Sequence, residues 1–328
     1  MGVIVTVYNL ELYVKEALMS AVNQSLKPDR IIVIDDGSTD NSRKVIQDFR
    51  ANFELVTNPV NQGVLPSVIT GIKMLDTDVV ALLDGDDVWE PNKLFDVMDT
   101  FNKDDSIMMV LHNFKRISKD GSLIPGVDIT QRNLNRINKL SEKMDQDELL
   151  KDSILSYKGV WLGSALSFKR SKLNVEEFEH WSLTFWGHEY SHQDQPLAAY
   201  LIASNPKDRI RYIHQELFRY RIYGENSSGS STTLPKALKT LQRSKATLIR
   251  TQSIVKQLGN REDSLQRQEM KLLEVTYLEA LYNNHWATAF KLFVSLFYEF
   301  WTMKERIKEI GRFGGVLILG PTRFLKLK

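Results

Sequence analysis

Between residues 3 and 101 the chain keeps switching between two hydrophobic periods, and this alternation restricts the fold more than any other feature. VIVTVY (3–8), RIIVID (30–35), FELVTN (53–58) and DVVALLD (78–84) are short apolar runs rich in β-branched residues. Interleaved with them, ELYVKEALMSAVNQ (11–24), NSRKVIQDF (41–49), VLPSVITGIKML (64–75) and PNKLFDVMDTF (91–101) place apolar residues at helical spacing. The last has Pro in its first turn, where the missing N–H costs nothing. Strands alternating with helices in this way predict an α/β fold, a mainly parallel sheet with helices on both faces. Ligands of such sheets bind beyond the carboxyl ends of the strands, near the point where strand order reverses. Thr6, Tyr8 and Asn9 follow the first run, Asp35 and Asp36 the second, and Asp84 to Asp87 the fourth. The topology therefore gathers them at one edge.

The remainder is less regular. Residues 107–117 read as another strand, followed by a polar connection and a helix near 145–156. GVWLGSALSFKR (159–170), a helix over 194–203 and a strand over 209–222 come next. The polar run GENSSGSSTT (224–233) predicts a boundary between a body, residues 1–230, and a helical region, 234–328. Such a division suits 328 residues, more than one core usually organises. With no Cys, disulfides and thiolate metal sites are excluded, which fits a reducing compartment. The opening residues lack the basic start and apolar run of a secretory signal, and no apolar run is long enough for a transmembrane span. The net charge of +2 hides an asymmetry: Leu234 to Lys328 holds 17 Lys+Arg against 8 Asp+Glu, whereas Met1 to Thr233 carries a net −7. A basic tail on an acidic body is expected to meet something anionic.

Asp84-Gly85-Asp86-Asp87 ends an apolar strand, where a solvated acidic loop is a poor explanation. Converging carboxylates need a cation, and oxygen-only ligands suit Mg²⁺ or Mn²⁺ shared between protein and a substrate's phosphates. The sequence has neither G-x-x-x-x-G-K-[ST] nor G-x-G-x-x-G, so a P-loop is excluded and a dinucleotide fold is not expected.

T-V-Y-N (6–9), S-A-V-N-Q-S (20–25), I-I-V-I-D-D-G-S-T-D-N-S (31–42), N-Q-G-V (61–64) and L-L-D-G-D-D-V-W-E-P-N-K-L (82–94) occur in this order. Over about a hundred residues the chain resembles family 2 glycosyltransferases, inverting enzymes of the GT-A fold, and fainter likeness continues to about residue 230. The resemblance implies a GT-A catalytic domain over 1–230 that binds a nucleotide-sugar, UDP- or dTDP-linked, and a glycan or lipid-linked acceptor. Thr6, Tyr8 and Asn9 would line the nucleotide pocket, with Asp36 or Asp35 accepting a hydrogen bond from base or ribose. Asp84 would lie near the ribose and, with Asp86, form the D-x-D pair that holds Mn²⁺ or Mg²⁺ on the diphosphate. Asp87 would brace the loop, and Ser38, Asp40 and Ser42 are better read as helix caps. Asp194, in Gln193-Asp194-Gln195-Pro196, would be the general base, with an ordinary N-terminal helix carboxylate as the alternative. Two departures stand out. Val68 occupies a position where the family often has Arg, and Arg219-Tyr220-Arg221-Ile222-Tyr223 replaces a common R-x-H. Arg221 would then supply charge to the diphosphate or be a surface strand arginine.

His188-Glu189-Tyr190-Ser191-His192 matches the zinc-protease pattern H-E-x-x-H, but Gly187, Ser191 and Pro196 disfavour the required helix. The segment is better read as a loop over the acceptor cleft, with Trp186, His188 and His192 as acceptor contacts. Trp161 and Trp181 are expected in the core. In the tail, Trp286, Phe290, Phe293, Phe297 and Trp301 form one helical stripe, followed by Lys304, Arg306, Lys308, Arg312, Arg323 and Lys326. The stripe would dock on the catalytic domain or a partner subunit, or lie at an anionic membrane surface. The second option, favoured here, puts a cytoplasmic enzyme at the inner face of the membrane, making bacterial surface polysaccharide; a homo-oligomer stays open and nucleic acid is not expected. The competing functions are a sugar nucleotidyltransferase, which T-V-Y-N argues against, and an inactive glycan-binding scaffold.

Overall fold

The protein was analysed as a computed structural model that describes residues 1–127, 129–156, 163–184, 192–223, 233–258 and 262–327. Strands β1 (Gly2–Val7), β2 (Arg30–Asp35), β3 (Glu54–Thr57) and β4 (Val79–Asp84) alternate with helices α1 (Val14–Val22), α2 (Ser42–Asp48) and α3 (Val64–Met74). They are followed by β5 (Val88–Trp89), α4 (Lys93–Asn102), β6 (Ile107–Ile117), α5 (Ile129–Ser141), α6 (Gln146–Leu155), β7 (Ser167–Lys169), α7 (Val175–Glu179), α8 (Asp194–Ser204) and β8 (Arg209–Arg221). The sheet has the order β3-β2-β1-β4-β7-β6-β8-β5. Pairing is parallel throughout except around β7 and between β5 and β8. Every residue of β1 is buried, as a strand covered on both faces requires.

The strand order reverses at β1, whose neighbours are β2 and β4. Thr6 is in register with Asp84, and Val7 with Asp35. The polar residues after β1, β2 and β4 therefore share one rim, as the alternation predicted.

Helix α5 lies where a polar connection was expected. It is rich in Asn, a weak helix former, and its buried face includes Leu134 and Ile137, three residues apart. Burial, rather than propensity, holds it.

Beyond residue 233 the chain forms α9 (Leu234–Leu258), α10 (Glu262–Tyr282), α11 (Trp286–Glu299) and α12 (Met303–Lys326). Ile254 and Val255 of α9 join the main core, while Tyr277, Leu281, Leu296, Trp301 and Val316 build a second one. Trp301 of the tail stripe belongs to this second core, and Trp286, Phe293 and Phe297 pack against it. Phe293 stacks near Tyr277, Phe297, Trp301 and Phe313, and the Trp301 indole N–H donates to Glu274 Oε1 at 3.1 Å. This corrects the expectation of a membrane-facing stripe: of its five aromatics, Phe290 alone is exposed. Among the described residues no helix is long and apolar enough to cross a membrane.

Candidate active site

The site grows from the turn between β4 and β5. Gly85 packs so closely under β1 that a Cβ there would lie 2.8 Å from the Thr6 carbonyl, to which its own N–H donates at 2.9 Å. A side chain at this position would push the acidic turn off the sheet. Ser164 braces the turn from the other side: its Oγ accepts from the Asp84 N–H at 3.0 Å and donates to Asp87 Oδ2 at 2.7 Å. Asp87 also accepts from the Arg221 N–H at 3.0 Å, so it ties β4, β8 and the Ser164 turn together, as a bracing residue should.

Behind the turn, the W-x-P-x-K-L residues are held by S-A-V-N-Q-S. Ser20 Oγ accepts from the Trp89 N–H at 3.1 Å; Gln24 Nε2 donates to the Glu90 carbonyl at 2.9 Å and Gln24 Oε1 accepts from the Leu94 N–H at 2.9 Å. The Trp89 indole donates to the Ser164 carbonyl at 3.0 Å. These two sequence motifs are one scaffold.

Thr6 Oγ1 donates to Asp84 Oδ1 at 3.4 Å, and Gln193 Nε2 donates to the same oxygen at 3.0 Å. Asp194 follows at the first turn of α8, with Oδ1 accepting from the Gln195 N–H at 2.8 Å and Oδ2 from the Gly163 N–H at 3.1 Å. A Cβ on Gly163 would lie 3.1 Å from Asp84 Oδ2, so this glycine is the thin partition between the two carboxylates. Burial pushes the Asp84 carboxyl up to about 7, reinforced by the charges of Asp86 and Asp194. Burial also raises Asp86, although the Tyr223 hydroxyl, donating to Oδ2 at 2.9 Å, and the nearby Arg221 oppose it. Asp87 is raised well above the ordinary carboxylate range by burial, then by Asp86 and Asp84. The group is short of positive charge.

The remaining predicted residues fall nearby in different roles. Tyr8 is 43% exposed at the rim. Asn9 adopts a left-handed conformation (φ 54°), and its Oδ1 accepts from the Thr39 N–H at 2.8 Å. Asp35 is fully buried; it accepts from the Ser38 N–H at 3.1 Å and pairs with Arg43 at 2.9 Å. Asp36 Oδ1 accepts from Asn58 Nδ2 at 2.7 Å and the Gln62 N–H at 3.0 Å, and Oδ2 from the Gly63 N–H at 2.8 Å. Oδ2, with one donor, keeps lone-pair capacity that Oδ1 has spent. Of the expected caps, Asp40 alone acts on α2, its Oδ1 accepting from the Ser42 N–H at 2.9 Å; Ser38, Asp40 and Ser42 also receive the N–H groups of Asn9, Glu11 and Leu10 and lock the first loop onto the second.

Arg221 is not a surface strand arginine. It is buried: Nε donates to the Asp86 carbonyl at 2.9 Å, Nη2 pairs with Glu16, and its guanidinium lies 4.9 Å from the Tyr13 ring centre. Its charge reaches Asp86 from behind the turn. Val68 is packed in the main core, so α3 brings no cation at that position.

His192 has its N–H on Thr247 Oγ1 of α9 at 3.0 Å; burial lowers its pKa, as does Arg243, against the opposing charge of Asp194. Trp161, Trp186, His188 and Glu189 lie outside the described residues, and with them most of the H-E-x-x-H segment. Among the described residues no group of three or more His, Asp or Glu side chains could cage an ion unaided. Asp84 and Asp86 would nevertheless suit a divalent ion that is also held by a diphosphate and water: both carboxylates are buried and close to each other, with Arg221 as the cation beside Asp86.

Gly163, Ser164, Gln193, Tyr223 and Thr247 carry parts of this site that the sequence reading missed. None belongs to a charged cluster, and only the fold brings them to the acidic turn.

An acidic turn at the switch point of a mainly parallel sheet covered by helices is the architecture of the GT-A fold. Residues 2–162, just under half of the 328, match the family model described as Glycosyl transferase family 2, so the chain carries a domain of that kind. A glycosyltransferase of Nostoc sp. (strain PCC 7120) is 27% identical over 239 residues, covering 71% of this chain and 67% of that protein. The poly-beta-1,6-N-acetyl-D-glucosamine synthase of Staphylococcus epidermidis is 32% identical over 119 residues, 36% of this chain but 29% of the synthase. Among solved structures, S. aureus TarS 1–349 in complex with UDP superposes with TM-score 0.55 at 16% identity over 97% of this chain and 80% of that one. The mannosyltransferase PcManGT from Pyrobaculum calidifontis, in complex with GDP-Man and Mn²⁺, gives TM-score 0.55 at 14% identity, covering 99% and 82%. At these identities the structures attest the fold.

Proposed function

We propose that this chain is an inverting glycosyltransferase. It moves a sugar from a nucleoside-diphosphate donor, UDP- or dTDP-linked, to a hydroxyl of a glycan or lipid-linked acceptor during bacterial surface polysaccharide synthesis. A lipid-linked acceptor would bring it to the inner face of the cell membrane. The observation that carries this reading is the convergence of Asp84, Asp86 and Asp194, from the β4–β5 turn and the start of α8, with Gln193 and Gly163 joining the two sides. The UDP and GDP-Man complexes of TarS and PcManGT support the donor class, and PcManGT with Mn²⁺ supports the cation.

Asp86, with Asp84, would hold Mn²⁺ or Mg²⁺, which neutralises charge on the departing diphosphate. Thr6 and Tyr8 line the nucleotide side, and Asp36 accepts from base or ribose. Asp194 takes the proton of the acceptor hydroxyl as its oxygen bonds to the anomeric carbon and the bond from that carbon to the diphosphate breaks. Two backbone N–H groups, from Gly163 and Gln195, hold its carboxylate in position. Trp186, His188 and His192 are assigned to the acceptor side.

Asp194→Asn should lower the transfer rate by about a thousandfold or more, within the range of a lost general base plus positioning, while UDP affinity changes less than about twofold. Near-normal turnover would remove Asp194 from the role; equal loss of UDP binding would make it a donor-site residue.

A further inference from the structure

With most of the aromatic stripe of α11 turned inward, that helix still exposes Phe290, Val294 and Tyr298, but the larger exposed apolar row belongs to α12. Met303, Ile307, Ile310, Leu317 and Ile318 are 69%, 67%, 53%, 57% and 81% exposed. With Gly314 between them, they recur three and four residues apart and form one row along the helix. The opposite side is anchored: Val316 and Glu309 are buried, and Phe313 packs on Trp286, Phe290 and Phe293. The row is therefore not waiting for this chain's own core. The helix is regular up to Gly320, where the backbone leaves helical geometry (φ 72°) just before Pro321.

The charges beside the row have one sign. Lys304 and Lys308 are exposed along one flank, and Arg306 lies on the other with its guanidinium 4.9 Å from the Phe297 ring centre. Arg323, Lys326 and the 77% exposed Leu327 follow the kink. The acids of this helix are otherwise engaged. Glu305 is bound to the Thr302 N–H and hydroxyl in the capping box, while buried Glu309 pairs with Arg312 at 3.2 Å and more loosely with Lys308 at 3.8 Å. An exposed apolar row rimmed by lysine and arginine matches a helix lying in the plane of an anionic bilayer, side chains sunk to the acyl boundary and cations at the headgroups. A second copy fits poorly, since a two-fold pairing of this face would set cations against cations.

We infer that the outer face of α12, rather than the stripe of α11, is a docking surface for an anionic lipid bilayer. It needs no nucleotide and no acceptor, so it is tested apart from the transfer reaction. The full chain is floated with phosphatidylcholine vesicles, with and without phosphatidylglycerol. Ile307→Ser/Ile318→Ser and Lys304→Glu/Lys308→Glu variants are compared, all four positions being exposed. The expected result is binding to phosphatidylglycerol vesicles alone, weakened by salt and reduced at least tenfold in each variant, with melting temperature and UDP affinity unchanged. Three outcomes overturn the inference: no flotation of the native chain, flotation indifferent to both variants, or a loss of oligomer mass in the Ile variant without any lipid binding, which would make the face a contact between copies.

Discussion

At the scale of single residues, the site is a problem of excess negative charge. Asp84 has the clearest consequence, because its carboxyl sits at about 7 in the fold against 3.8 as an ordinary carboxylate. The folded protein thus keeps a proton that the unfolded chain releases at lower pH. Its stabilising contribution is complete below the ordinary value and disappears as pH rises through the folded one. Without metal or donor, stability should fall between about pH 4 and 7 by at most about 1.4 kcal/mol per pH unit from this group. Thermal melts of native protein and Asp84→Asn across that range check it: the variant should show a flatter profile, and identical profiles would remove Asp84 as the source. Mn²⁺ with UDP should offset the loss in the native protein, since a bound cation favours the ionised carboxylates. Asp36 offers a second check. Its buried carboxylate receives three donors from the 58–63 loop, so Asp36→Ala should cost about 2–4 kcal/mol, measured by denaturant unfolding, before any donor is considered. A loss under about 1 kcal/mol would show that the loop does not depend on it.

At the scale of elements, the first hundred residues were readable because each strand is a short apolar run that changes period at its end. Their polar followers could be assigned to one rim from topology alone. What sequence could not show was which polar atoms spend their bonding on the scaffold. Asp35 and Asp36 are adjacent and chemically alike, yet one pairs with Arg43 and the other holds the N-Q-G loop. Arg221 was open between a cation for the diphosphate and a surface strand arginine, because its burial behind Asp86 depends on Glu16 and Tyr13, some two hundred residues earlier. The contribution of α9 was invisible for the same reason. Thr247 is one Thr in a helix until the fold places its hydroxyl on the His192 N–H, two residues before Asp194. Thr247→Val should destabilise by about 1–2 kcal/mol for the unpaired N–H. It should also lower kcat several-fold with little change in UDP affinity, and Thr247→Ser should restore both. A variant with native kcat would detach α9 from the acceptor side.

At the scale of the molecule, an acidic catalytic body and a basic helical region are joined through α9, which contributes to the main core while α10 to α12 build the second. The same composition that suggested an anionic partner for the tail is thus compatible with a tail that is largely folded against itself, leaving α12 as the outward face. The catalytic reading of the molecule depends on the rim where β1, β2 and β4 end. The most direct test is calorimetric titration of UDP and dTDP, with and without Mn²⁺, into native protein and Asp86→Asn. The account predicts that a nucleoside diphosphate binds the native protein at least tenfold more tightly with Mn²⁺, and that Asp86→Asn loses this gain while retaining weak metal-independent binding. Equal affinity with and without Mn²⁺, or an undiminished metal effect in Asp86→Asn, would contradict it.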